Sequence, residues 1–186
     1  MQHMRSLRPF IVAMVFSMAG IASLSTQTST TKPKSPVMRK PFTVRLKVEK
    51  EHYEELHYDK QPYVSENEVY LFLGDKFGVN ITVRDDRIVN VRYQPDLAKA
   101  DVWFSFEQPP ELPSGVGMTL EIQNKTKRGL SMEALMSVPN KKDVIKTSIQ
   151  SVQAGKSGLE TWPHAISQLV VGNLQLTPDS ASQPKK

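Results

Sequence analysis

His164 follows a tryptophan and a proline in ETWPHAISQLVVGNLQL, residues 160–176, where an imidazole could act as a general base or a metal ligand. No nucleophile and no second ligand stands near it in sequence. Proline fixes its own φ and pushes the residue before it into an extended conformation. Trp162-Pro163-His164 therefore reads as a structural corner, with Trp162 closing one end of a core and His164 at the rim. His52 and His57 lie in the acidic run EKEHYEELHYD with five-residue spacing. On a helix that spacing sets two side chains roughly 140° apart, whereas the zinc motif needs its pair four apart on one face. A solvated acidic segment is the better description.

Met118, Met132 and Met136 offer thioethers, which are soft ligands suited to Cu(I). Met132 and Met136 alternate with polar residues on the same face as Leu130, Ala134 and Val138, a strand period that marks them as core filler. The run QAGKSG places Gly155, Lys156 and Ser157 together but lacks the earlier glycine of a phosphate loop, because Gln150 stands there. Pro163 would also break the helix that such a loop needs, so the run is a turn. Gly-x-Ser-x-Gly does not occur. Asp85 and Asp86 are explained by a turn, and Asp96, Asp101 and Glu107 are scattered. No reaction follows from these residues, and no metal or cofactor is assigned.

The elements that would position these groups are strands. FTVRLKVE alternates Phe42, Val44, Leu46 and Val48 with polar residues. VNITVRDDRIVNVRY reads as a hairpin in which Val79, Ile81 and Val83 face inward, Asp85-Asp86 turn the chain, and Val89, Val91 and Tyr93 return. DVWFSFEQ, MTLEIQN, LSMEALMSV, VYLFL, VIKTSIQSV and SQLVVGNLQL supply further strands, with Gly172 marking a bulge in the last. The acidic stretch before Pro62 is polar and suggests one short helix or an acidic loop. Short strands joined by polar turns imply an all-β antiparallel sandwich of two sheets.

The run TLEIQNKTKRGLSMEALMSV, residues 119–138, resembles the strand–polar turn–strand units of bacterial exported immunoglobulin-like modules. That resemblance implies an immunoglobulin-like sandwich of about 7–9 strands. It implies little about activity, since one sandwich architecture carries many functions.

The first residues set the compartment. Arg5 and Arg8 precede the apolar run FIVAMVFSMAGIASL, and small residues near Ser23 and Ser25 offer cleavage sites. The run is shorter than the roughly 20 apolar residues of a spanning helix, so a cleaved signal peptide is expected at 1–25 and no membrane span after it. A flexible linker is expected over 26–40, the β-sandwich domain over 41–178 and a disordered tail over 179–186. Without Arg5 and Arg8 the basic residues fall from 24 to 22 against 19 acidic ones, a net charge of +3. That charge is mild and shows no nucleic-acid stripe. The absence of cysteine removes disulfides and thiol chemistry and suits a bacterial periplasm or secretion.

One anomaly points toward function. If Phe104 faces the core, Trp103 does not, and Tyr70 and Phe72 likewise oppose Val69, Leu71 and Leu73. Large aromatics on the second face of a sandwich mark a contact surface or a patch covered by the chain's own loops. Trp103, Tyr70 and Phe72 are accordingly the candidate partner-binding residues, for an envelope protein or a polysaccharide. The expected role is a non-catalytic binding or assembly module of the cell envelope. The alternatives are a periplasmic copper-binding protein using Met118, Met132, Met136 or His164, and a carbohydrate-active hydrolase with a site assembled across loops.

Overall fold

Alternation of apolar and polar residues every second position forces each segment to choose a buried face. The computed structural model describes residues 35–110, 112–113 and 115–177. They form strands β1 (Phe42–Lys47), β2 (Tyr53–Tyr58), β3 (Val64–Ser65), β4 (Glu68–Leu71), β5 (Asp75–Arg84) and β6 (Arg87–Gln94). The order continues with β7 (Val102–Glu107), β8 (Met118–Asn124), β9 (Gly129–Ser137), β10 (Ile145–Val152), β11 (Ser157–Trp162) and β12 (Gln168–Thr177). One five-stranded antiparallel sheet has the order β10-β9-β12-β4-β3, a second has β11-β8-β7-β5-β6, and β1 and β2 form a separate hairpin. The fold is all-β and sandwich-like, with no helix among the described residues.

The acidic stretch expected as a helix or loop is β2. Pairing with β1 places Phe42 opposite Tyr58, Val44 opposite Leu56 and Leu46 opposite Glu54. Val44 and Leu46 are buried and Leu56 packs partly on the core, while Thr43, Arg45, Tyr53, Glu55 and His57 face out. A helix would have scattered those apolar residues around its circumference. The hairpin closes one end of the sandwich. Gln108 bonds both backbone groups of Lys47 at 2.9 and 2.8 Å, and Tyr58 donates to the Ser167 carbonyl at 3.0 Å.

The 119–138 run is not a hairpin. β8 and β9 lie in opposite sheets. They form one arm of a longer hairpin whose return arm is β10 and β11. The pairs Ile145–Met136, Ile149–Met132 and Val152–Leu130 continue as Ser157–Gln123 and Trp162–Met118 with almost no slip. This hairpin folds over the core at residues 125–128 and 153–156. Fully buried Asn124 holds the fold: its Nδ2 donates to the carbonyls of Arg128, Val152 and Gln153, and its Oδ1 accepts from Thr126. Strands β2, β3 and β11 escape a search for apolar alternation because little of their length is apolar, which raises the count above the expected range.

The β5–β6 hairpin forms as read, and Asp85 and Asp86 take φ of 48° and 59°, the left-handed values that a tight two-residue turn requires. Val83 and Val89 are exceptions, both exposed. A bulge between Thr82 and Val83 opposes Val83 to Ile88 and leaves Val89 out of the inward series. The expected irregularity at Gly172 is present, as a register shift between Gly172 and Gln175.

Residues 37–39, within the expected linker, contact the described strands. Met38 bridges to Pro62, and the Arg39 amide donates to the Gln61 carbonyl at 2.7 Å. Arg39 itself is only 7% exposed. The signal peptide, residues 26–34 of the linker and the tail over 179–186 lie outside the described residues.

Trp162 is buried where the corner was expected. It packs edge-on to Phe106 with ring centroids 6.5 Å apart, and its Nε1 donates to Thr147 Oγ1 at 3.2 Å. Replacing Trp162 by alanine should cost about 3–5 kcal/mol in urea melts. His164→Ala should cost far less. Equal, small losses would place the corner outside the core.

Candidate functional site

The three aromatics expected on the second face separate. Phe72 is 1% exposed and makes edge contacts with Phe42 and Tyr58 at 5.1 and 4.7 Å between centroids. β4 ends at Leu71, and a turn through Gly74 (φ +86°) swings Phe72 under the β1–β2 hairpin. Phe72 therefore belongs to the core, covered by the chain itself. Tyr70 is half-buried on the outer face of β4, beside Val170 of β12, and its hydroxyl donates to Glu68 at 3.1 Å. Trp103 alone sits near the middle of a broad sheet face.

That face belongs to the β11-β8-β7-β5-β6 sheet. The cross-strand neighbours of Trp103 are Gln123 on β8 and Gly78 on β5. The Lys76 ammonium lies 5.3 Å from the indole centroid, a cation–π contact. Ser157 donates to the Gln123 side chain at 2.6 Å, and Leu159, 67% exposed, stands opposite Glu121. Glycine is required at position 78, because a Cβ there would meet the Ala100 methyl at 2.2 Å. Chemically the surface is one half-buried indole with amide, hydroxyl and charged groups around it. Such a surface can stack and hydrogen-bond a partner. It brings no base and nucleophile together.

The methionines lie in the core: Met118 is 0%, Met132 4% and Met136 7% exposed. His52 lies in the turn that joins β1 to β2 and His57 on the outer face of β2, where His57 Nδ1 is 2.7 Å from Thr43 Oγ1. His164 lies between β11 and β12, with Nε2 buried and lacking a hydrogen-bond partner in the protein. Among the described residues no three His, Cys, Asp or Glu side chains gather to hold a metal.

A site that sequence reasoning missed surrounds Arg39. Its guanidinium donates to Asp75 at 2.6 Å, to the Tyr70 carbonyl at 2.7 Å and to the Pro62 carbonyl. The ring of Tyr63 lies 3.9 Å from the guanidinium carbon, with Phe72 and Phe77 at 5.1 and 5.4 Å. Asp75 also accepts from the Phe72 amide at 2.8 Å. These are contacts of a cation buried in an aromatic box and supplied by the chain itself. Nothing around Arg39 in sequence signals them, because its partners are 23 to 36 residues away.

Comparison with known proteins finds no match to a family model, to a curated protein or to a solved structure.

Two outcomes are expected at the Arg39 box. Arg39→Ala leaves a buried carboxylate without its partner and should destabilise the domain by about 3–5 kcal/mol in urea melts. Burial raises the Asp75 pKa above 3.8, against the pull of Arg39 and the Phe72 amide. A carboxyl with a raised folded pKa favours folding when protonated, fully below the unfolded value, and loses that contribution as pH climbs through the folded one. The stability of Asp75→Asn relative to wild type should therefore rise as pH is taken from about 3 to about 7. Parallel melts across that range check the sign.

Proposed function

We propose that this protein is an exported, non-catalytic binding module of the bacterial cell envelope, periplasmic or secreted, built on an immunoglobulin-like sandwich. The observation that supports it is the half-buried Trp103 on the outer face of the β11-β8-β7-β5-β6 sheet, beside Gln123 and Lys76, on a sheet that also carries the exposed Leu159. An indole in water is costly surface, and indoles are enriched where partners dock. The buried positions of Met118, Met132 and Met136 weigh against a copper site, since all three pack within the core.

The chain carries two tryptophans, and Trp162 is buried, so fluorescence changes on binding report Trp103. Titration with envelope polysaccharide fractions should shift the emission of the wild type. Trp103→Ser should abolish the shift while moving stability by no more than about 0.5 kcal/mol, the range for a surface substitution. A loss of several kcal/mol would make Trp103 a packing residue and remove the basis of the reading.

A further inference from the structure

The outer face of the β5–β6 ribbon carries a pattern that the Trp103 reading does not use. Three cross-strand pairs share it: Asn80 with Arg92, Thr82 with Asn90, and Arg84 with Arg87. The opposite pairs, Val79–Tyr93, Ile81–Val91 and Val83–Ile88, face the other way. Arg84, Arg87 and Arg92 are exposed and form no ion pair among the described residues. Two carboxylates of this region are engaged elsewhere: Asp86 at the turn pairs with Arg128 at 3.0 Å, and Asp101 accepts from the Ile81 amide at 2.9 Å. β6 pairs only with β5, so one side of the ribbon is open.

We propose that this ribbon binds a linear acidic polysaccharide lying along the strands. The inference rests on the reading of this sheet as the contact face and names the partner's chemistry. From the Asn80 pair to the Arg84 pair the ribbon runs about 14 Å, at roughly 3.4 Å per residue. It is two strands wide and alternates guanidinium with amide and hydroxyl. Guanidinium forks match carboxylates, and Thr82, Asn80 and Asn90 suit the hydroxyls between them. The ribbon has no large apolar anchor of the kind that fixes a protein partner.

The test uses the mature full-length chain and fluorescently labelled polygalacturonate, with neutral dextran and phosphatidylglycerol vesicles as the other arms. Wild type should bind polygalacturonate, more weakly as salt rises, and leave dextran free. Arg84→Gln, Arg87→Gln and Arg92→Gln combined should weaken binding at least about tenfold at low salt with unchanged melting temperature. No binding by wild type, equal binding of dextran, stronger binding of vesicles, or an unaffected triple variant would each overturn the proposal. Loss of binding in Trp103→Ser with the triple variant unaffected would overturn the arginine ribbon and leave the binding-module reading standing.

Discussion

A buried guanidinium must find acceptors for its donors, and Arg39 finds them on three separate segments. It joins the segment before β1 to Pro62, to the Tyr70 carbonyl of β4 and to Asp75 at the start of β5. Asp75 in turn fixes the turn that buries Phe72, through the Phe72 amide. Coulomb attraction in such a pair is largely offset by desolvation, and the raised Asp75 pKa shows that burial is the larger effect there. What the pair supplies is a unique arrangement. Few other placements of residues 37–39 would leave both charges hydrogen-bonded, so that segment, β4 and β5 are fixed together.

The ends and edges of the sandwich are closed by related devices. The β1–β2 hairpin covers one end with Phe42, Val44, Leu46 and Tyr58, and Asn124 ties the two chain crossings at the other. Edge strands present unpaired amides, which invite strand addition. On β10 the Gln150 amide donates to Glu160 of β11 at 2.6 Å, and on β6 the Val91 amide donates to Asn67 at 2.9 Å. Side chains thus occupy edge groups that a partner strand would need. The sheet faces, by contrast, carry Trp103 and the β5–β6 arginines.

The chemistry-bearing residues sort by the same physics. Methionines at strand period pack with the core they alternate into, and a proline corner drives Trp162 against Phe106. Of the aromatics opposite the core, one was covered, one is tied to a neighbouring carboxylate and one is half-buried on an outer sheet face. The covering segment was itself acidic and polar in sequence, with its apolar residues spaced for the inner face of a strand.

Much of the architecture was fixed by local pattern. Period-two alternation located β1, β4, β5, β6, β7, β8, β9, β10 and β12, and Asp85-Asp86 located a turn, because a side chain's face in a strand depends only on its parity. The Trp162 corner was legible for the same reason: proline acts on its immediate neighbour. Strands β2, β3 and β11 were not, since too few of their residues are apolar for the pattern to register. Nor could sequence say that β8 and β9 part into opposite sheets, because a polar turn permits either a tight hairpin or a crossing. The Arg39–Asp75 pair, the burial of Phe72 and the arginine ribbon were decided only by tertiary structure. Each depends on residues distant in sequence or on cross-strand register, and neither leaves a trace in local periodicity.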